Sequence, residues 1–225
     1  MLRNAILDAL AILLPVDCAG CSAPDRGLCA ECLAALAPEP SVRAVGAVRV
    51  WTGLRYELVG RRVILALKEE GRTDVARTLA RPLGAALDRA LDNAPRASEL
   101  VPVPTSRAAY RRRGYDPVRL LLRRAGYDGA RVLAPARTSR DQKSLGVADR
   151  AENRAGAFTA TRRLDGRTFV IVDDVLTTGA TIADAARAIE AAGGVVAGAA
   201  TLAFTPKLFS EDSNHPSRDF PDGQE

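Results

Sequence analysis

The chain contains 225 residues, of which 47% are hydrophobic and 26% are charged. This composition is typical of a folded globular protein, and the length suffices for one sizeable core with a small appendage. Lys and Arg number 32 against 27 Asp and Glu, and the resulting net charge of +5 favours anionic ligands such as phosphates or nucleic acid.

The apolar run at the N-terminus is interrupted by Asp8 and ends at Pro15. Because a membrane-spanning helix needs roughly 20 apolar residues, this run is too short to cross a bilayer. It also lacks a clear cleavage site of small residues, so we expect an amphipathic helix rather than a secretory signal. The protein is therefore predicted to be cytoplasmic and to have no membrane span.

The four cysteines form two CxxC pairs, Cys18 with Cys21 and Cys29 with Cys32, and seven residues separate the pairs. This spacing predicts a structural zinc site in which four thiolates bind one metal ion. A closed shell of four thiolates leaves no position for a substrate, so a catalytic metal is not expected there. An iron–sulfur centre, redox cysteines and disulfides remain alternatives. Residues 1–40 are predicted to form an N-terminal helix and this zinc module.

A second unit is predicted to follow a proline-containing linker. Residues 45–54 are typical of a strand, and residues 56–68 and 74–91 are typical of helices. Pro82 should kink or divide the second of these helices. Lys68 stands at the end of the first helix, where it could reach a phosphate or could simply face solvent.

Residues 100–104 form a short extended run in which two prolines predict a strand end or a sheet edge. A loop that contains Arg107 follows directly, and arginines are dense from there through a predicted helix over residues 117–124. These arginines could converge on a compact anion, with Arg107 and Arg113 as the first candidates. Alternatively, the arginines and three interleaved tyrosines could bind nucleic acid.

Residues 137–158 are polar and weakly periodic, which predicts a mobile loop at the surface. A disordered connector whose charges are incidental is the alternative.

Residues 169–172 are apolar and mostly β-branched, which is typical of a parallel strand buried on both faces. Asp173 and Asp174 follow, and adjacent carboxylates are costly to bury unpaired, so we expect them at the carboxyl edge of the sheet. There they could accept hydrogen bonds from hydroxyls or help to hold a metal. The next residues are small or hydroxylated and precede a predicted helix over residues 182–192, whose N-terminus would attract an anion. The predicted anion loop consists of Thr177, Thr178, Gly179, Ala180 and Thr181.

A simple strand, loop and helix with a Thr cap is the plainer interpretation of this stretch. Such a cap would need one Thr and would explain neither the acidic pair nor the glycine. A further strand over residues 195–204 is expected beside the strand that carries Asp173.

This order of residues resembles the 5-phosphoribosyl-1-pyrophosphate (PRPP) binding motif of type I phosphoribosyltransferases. The resemblance implies that Asp173 and Asp174 bind the ribose 2′- and 3′-hydroxyls, that residues 177–181 bind the 5′-phosphate, and that Mg²⁺ accompanies PRPP. It also implies that the loop at Arg107 holds the pyrophosphate. The polar loop over residues 137–158 would act as a lid that excludes water during transfer. The lid residues expected to approach the pyrophosphate are Arg137, Gln142 and Lys143.

With the tail set aside, the chain up to about residue 205 resembles the ComF/GntX family of competence-associated, phosphoribosyltransferase-like proteins. The resemblance rests on the two CxxC pairs, the Val-Pro-Val-Pro and Arg-Gly-Tyr segments and the PRPP motif. It implies an α/β fold with a type I phosphoribosyltransferase-like parallel sheet flanked by helices over residues 41–206, and a small N-terminal Cys₄ zinc module. The chain departs from the family at Asp116 and Pro117, where an Asn-Gln pair is usual.

Three functions fit this resemblance. The protein could transfer a phosphoribosyl group to an acceptor that the sequence does not reveal. It could instead be a non-catalytic accessory protein of DNA uptake that binds single-stranded DNA or a nucleotide, with proteins of the competence machinery as partners. A third possibility is a regulator that senses PRPP.

Residues 207–225 are predicted to be a disordered tail. The single histidine, His215, lies in that tail, so catalysis by histidine is not expected.

Overall fold

The computed structural model describes residues 17–24, 26–136 and 156–206. Within these ranges the strands are β1 (Ser41–Val45), β2 (Val48–Arg55), β3 (Glu99–Pro102), β4 (Leu133–Pro135), β5 (Phe158–Ala160), β6 (Thr168–Leu176) and β7 (Val195–Phe204). The helices are α1 (Ala30–Ala34), α2 (Leu58–Glu69), α3 (Ala76–Asp92), α4 (Arg107–Arg113), α5 (Pro117–Arg124) and α6 (Ala180–Glu190). A 3₁₀ turn over Thr73–Val75 precedes α3.

In the described part of the chain, five strands form one sheet in the order β1-β2-β7-β6-β3. Strands β2, β7, β6 and β3 pair in parallel, whereas β1 is the antiparallel outer arm of a hairpin with β2. Strands β4 and β5 pair into a separate two-stranded ribbon. The mostly parallel sheet flanked by helices confirms the predicted fold class. The proline-containing β3 lies at an edge of the sheet, as its prolines predict.

The side chains of β6 explain why the sheet is covered on both faces. Val170 and Val172 pack in one hydrophobic cluster with α3, whereas Phe169 and Ile171 pack in a second cluster with α6. This alternation follows from the two-residue period of a strand. All four side chains are fully buried, which is why residues 169–172 are apolar and the acidic pair comes only after them.

Helix α3 packs unusually close to the sheet at Gly53 of β2. A Cβ atom at Gly53 would lie 2.2 Å from the carbonyl oxygen of Pro82 in α3. Only glycine allows this approach of the helix backbone to the strand. The prediction that Pro82 divides the helix is wrong, since α3 continues through it from Ala76 to Asp92.

Three further boundaries differ from the sequence predictions. Residues 45–54 do not form one strand, because the chain turns after Val45 and β2 begins at Val48. Arg107 begins α4 instead of lying in a loop, because Ser106 caps that helix. Strand β6 continues through the acidic pair to Leu176, since β7 still pairs with it there.

The described helices include none that is both long enough and apolar enough to span a membrane. The predictions made for residues 1–16, for residues 137–155 and for the tail that contains His215 lie outside the described residues.

Candidate functional site

The acidic pair lies within β6, close to the point where this strand leads into the anion loop. Asp173 and Asp174 are both half-buried, and a carboxylate oxygen of Asp173 accepts a hydrogen bond from the Asp174 backbone N–H at 2.8 Å. Strand β3 pairs with β6 only as far as Val172, so the acidic pair extends beyond the end of the edge strand. The pair therefore stands at the carboxyl edge of the sheet, where parallel sheets bind ligands.

The anion loop leads directly into α6, which begins at Ala180 and is two residues longer at this end than the sequence predicts. Its N-cap residue is Gly179, which has no side chain to cap the helix. The hydroxyl oxygen of Thr178 accepts from the Ala180 N–H at 3.4 Å, which is long for a hydrogen bond. Thr177 and Thr178 are exposed, whereas Gly179 is buried, so an anion that the helix dipole attracts would approach from the side of the two threonines.

Gly179 is required in the loop for two reasons. Its φ of 81° lies in the left-handed region that side chains disfavour. A Cβ atom there would also lie 2.7 Å from the side chain of Val45 at the end of β1. The hairpin therefore packs against the anion loop and fixes its backbone.

Lys68 reaches the acidic pair from α2. Its Nζ lies 2.8 Å from Oδ2 of Asp174, and the two side chains are only 24% and 19% exposed. The structure thus joins two residues that are more than a hundred positions apart in the sequence and that were both predicted to belong to the site. In the structure described, the cation neutralises a carboxylate of the acidic pair.

The residue after Lys68 anchors the same end of α2 to the arginine-rich segment. Glu69 accepts from Arg113 at 2.7 Å and from Arg112 at 3.0 Å, and this pairing lowers the pKa of Glu69. The Tyr115 hydroxyl donates to the Leu67 carbonyl. Arg113 is therefore held by α2 in this structure, and its Nε is buried with no hydrogen-bond partner among the described residues. Its predicted contact with a ligand stays a prediction.

The other residues predicted to approach the pyrophosphate make no contact with the acidic pair among the described residues. Arg107 is exposed on the first turn of α4 and makes no ion pair with another described residue. Arg137, Gln142 and Lys143 lie outside the described residues. Their contribution to the site stays a prediction.

A buried carboxylate in α6 ties this helix to the ribbon. Asp184 accepts from the backbone N–H groups of Gly156 at 2.7 Å and Phe158 at 2.8 Å, and from Arg187 Nε at 2.8 Å. Burial by itself raises the pKa of Asp184, but the bonds from Arg187 and the two backbone groups outweigh it and lower the pKa overall. Asp184 thus fixes the start of β5 beside the helix that follows the anion loop.

The four cysteines converge, and their sulfur atoms all lie within 4.8 Å of one another. Four sulfurs around a tetrahedral zinc ion would be about 3.8 Å apart, given Zn–S bonds of about 2.3 Å. The sulfurs of Cys21 and Cys29 are 3.6 Å apart, so the cluster can hold a metal ion. Burial raises the pKa of Cys18, but backbone N–H groups of Cys29, Cys21 and Gly20 together lower it to about 6, whereas burial raises the pKa of Cys32.

Several residues that shape the site belong to no sequence motif. Glu69 and Asp184 act through contacts with residues 44 and 28 positions away, which no local pattern reports. Arg72 and Asp74 did offer a local signal, since opposite charges two positions apart in a turn form an ion pair at 2.9 Å. That signal did not indicate what else Arg72 contacts.

The family model of the phosphoribosyl transferase domain matches residues 111–221. This segment of the chain is therefore similar in sequence to a phosphoribosyl transferase domain. The matched segment contains the acidic pair and the anion loop, whereas the cysteine cluster and Lys68 precede it. No curated protein matches the chain in sequence.

Proposed function

We propose that the protein binds PRPP with Mg²⁺ at the acidic pair and transfers the phosphoribosyl group to an acceptor. The observation that carries this proposal is the junction of β6 and α6, where two half-buried carboxylates precede a helix whose N-cap has no side chain. This stretch combines acceptors for ribose hydroxyls with donors for a phosphate. Its position within a phosphoribosyl transferase domain supports the same assignment.

The roles of the described residues follow from their chemistry. Asp173 and Asp174 would accept hydrogen bonds from the 2′- and 3′-hydroxyls, and residues 177–181 would surround the 5′-phosphate. Lys68 is close enough to Asp174 to exchange this partner for a phosphate oxygen when the ligand arrives. Arg107 and the predicted lid residues would approach the pyrophosphate.

The reaction would be a displacement at ribose C1. A lone pair of the acceptor forms a bond to C1 while the bond from C1 to the pyrophosphate oxygen breaks, and pyrophosphate leaves with that electron pair. Bound with PRPP, Mg²⁺ would neutralise part of the leaving charge. The chain itself would contribute mainly by positioning the reactants and stabilising charge.

The cysteine cluster is proposed to hold zinc, and the protein to be a cytoplasmic relative of the ComF/GntX family. The sulfur geometry supports zinc, and unpaired cysteines fit a reducing compartment. The family assignment is supported by the combination of this cluster with the phosphoribosyl transferase domain in one chain.

Calorimetric titration of the zinc-loaded protein with PRPP and Mg²⁺ tests the proposal. The variant in which Asp173 and Asp174 are both replaced by Asn should bind PRPP at least about 10-fold more weakly, because hydrogen bonds to charged groups contribute about 1.5–3 kcal/mol each and the loss of even one is a tenfold effect. Its circular dichroism should match that of the wild type. The matched control is Asp165→Asn, which neutralises a carboxylate that is 58% exposed and paired only with Arg163 among the described residues.

Equal PRPP affinity in the wild type and the double variant would contradict the proposed site. If PRPP binds, pyrophosphate release should then be measured with a panel of bases as acceptors. Binding that is lost in the variant, without release with any base, would favour the PRPP-sensing regulator over the transferase.

A second candidate function, binding of single-stranded DNA, is favoured by a cavity beside α5. Tyr110, Tyr115 and Tyr127 line this cavity of about 870 Å³ together with Arg119, Arg123 and Arg131. Aromatic rings can stack on bases, and guanidinium groups can bind the phosphates between them. This candidate predicts oligonucleotide binding that weakens with added salt and with Tyr110→Ala. A mobility-shift assay that shows no complex at low salt would exclude it.

A further inference from the structure

Helix α2 is held at its C-terminal end by residues of the candidate site. Lys68 pairs with Asp174, Glu69 pairs with Arg113, and the Leu67 carbonyl accepts from Tyr115. These consecutive residues of one helix all make contacts across the fold. The position of α2 therefore determines where the Lys68 cation stands relative to the acidic pair.

The cysteine module, defined as the described residues from Asp17 to Ala34, has almost no apolar core of its own. Its buried cluster consists of Cys18, Cys29 and Cys32, packed against few other side chains, one of which is Val59 from α2. An open cavity of about 720 Å³ separates parts of the module from α2. Apolar packing of the module is therefore limited to a few side chains, namely its contact with Val59 of α2 and the packing of Ala19 and Leu28 against the main core.

Two arginines make up for this sparse packing. Arg62 of α2 donates to the Gly20 carbonyl at 3.2 Å. Arg72, just beyond the end of α2, donates to the Asp17 carbonyl at 3.0 Å and to the Gly27 carbonyl at 3.2 Å. The three carbonyls belong to the two CxxC turns or lie within two residues of them, so their positions depend on how the cysteines are held.

The Arg72 side chain is fixed for this role by an ion pair with Asp74. Nε and Nη2 of Arg72 donate to the two carboxylate oxygens at 3.0 and 2.9 Å. Hydrogen bonding to Asp74 raises the pKa of Arg72 and lowers that of Asp74. With one edge of the guanidinium fixed, the remaining N–H groups point towards the module.

We propose that the metal-bound cysteine module clamps α2 through Arg72, and that Arg72 is thereby a positioning residue for Lys68 and the acidic pair. The metal fixes the CxxC turns, the turns hold Arg72 and Arg62, and these arginines hold the helix that presents Lys68. The part of this inference that concerns PRPP rests on the proposed function. Because linkage is reciprocal, a metal that strengthens PRPP binding must itself be bound more tightly when PRPP is present.

The test uses Arg72→Ala in the full-length, metal-loaded protein. Arg163→Ala is the matched control, because Arg163 makes the same kind of two-pronged ion pair with the residue two positions on, Asp165, but donates to no carbonyl within the described ranges. Metal content is measured first, and we expect both variants to retain it. Hydrogen–deuterium exchange is then followed in the peptide that covers residues 58–69.

Exchange in this peptide should be faster in Arg72→Ala and in wild type treated with a chelator, and unchanged in Arg163→Ala. In both variants, exchange in the peptides that cover β6 and β7 should equal that of the wild type. Unchanged exchange of residues 58–69 in a metal-loaded Arg72→Ala protein would overturn the clamp.

The second readout is ligand binding, which a merely structural role of Arg72 would not affect. Arg72→Ala should weaken PRPP affinity about 5- to 10-fold, within the usual range of coupling between two sites. In the Lys68→Met background the same change should have little further effect, because Arg72 acts through Lys68. Arg72→Lys, which keeps the charge but not the forked geometry, should give an intermediate value.

PRPP with Mg²⁺ should also slow the release of metal to a chelator in the wild type and in Arg163→Ala, but not in Arg72→Ala. Equal PRPP affinity in wild type and Arg72→Ala would overturn the coupling even if α2 is loosened. If the wild type binds no PRPP, the proposed function fails and the coupling to PRPP fails with it. The exchange experiment then still decides whether the module clamps α2.

Discussion

The sheet domain, taken as the described residues from Ser41 to Pro206, buries apolar side chains on both faces of its sheet, whereas the cysteine module buries three cysteines and little else. The two regions must therefore be stabilised in different ways. Burial of apolar area can hold the sheet domain together. A segment as small as the module needs a metal, and its attachment to the rest of the chain depends on polar contacts from α2.

Removal of the metal should show the largest difference in stability between the cysteine module and the sheet domain. Chelation, or Cys32→Ser, should abolish metal binding, and with it about 10 kcal/mol of free energy that is coupled to folding of the module. The sheet domain should still unfold cooperatively in denaturant. Metal analysis together with circular dichroism checks this, and a sheet domain that loses its cooperative transition along with the metal would show that the two regions fold as one.

A substitution in the core of the sheet domain should destabilise that domain and leave metal binding by the module intact. Gly53→Ala places a Cβ atom 2.2 Å from the Pro82 carbonyl oxygen and should lower the free energy of unfolding by about 3 kcal/mol, with metal content unchanged. Denaturant unfolding measures the loss. The matched control is Gly84→Ala in α3, where the new atom meets only Ala125 at 3.7 Å and helix propensity should raise stability by about 0.5–1 kcal/mol. A loss of similar size in both variants would rule out the close approach as the cause.

Low pH should also lower the free energy of unfolding of the sheet domain, by less than the Gly53 substitution does. The pKa of Asp184 is lowered in the folded state, so its contribution is present at neutral pH and is lost as the pH falls through that pKa. Asp184→Asn should lower the free energy of unfolding by about 2 kcal/mol at pH 7, and the difference from wild type should shrink below about pH 4. Urea unfolding across this pH range measures it. A difference that is independent of pH would mean that the charge of Asp184 does not contribute.

The module should respond to acid earlier than the sheet domain does, because its metal is released as the thiolates become protonated. Metal content measured on the same samples would show the order of the two events. If the sheet domain unfolds at a higher pH than the one at which the metal is released, the prediction that the module is the more acid-sensitive region is wrong.

Much of the sheet could be predicted because its signals are local. The strands over residues 169–172 and 195–204 and the helix over residues 117–124 follow from apolar runs and caps, and the structure has all three. The hairpin was missed, since its turn after Val45 interrupts a stretch that is apolar enough to pass for one strand. Arg107 was placed in a loop because the cap provided by Ser106 was overlooked.

Some features of the candidate site could likewise be predicted from local sequence, and others could not. The acidic pair, the anion loop and the cysteine spacing lie within short stretches whose residue types already limit their chemistry, so the sequence by itself determined them. Tertiary structure alone decided that Lys68 neutralises Asp174, that Glu69 pairs with Arg113, and that Arg72 contacts the cysteine module. The physical reason is that charge pairing depends on distance in space, and residues of α2 meet the rest of the site only after the helix has packed into the main core.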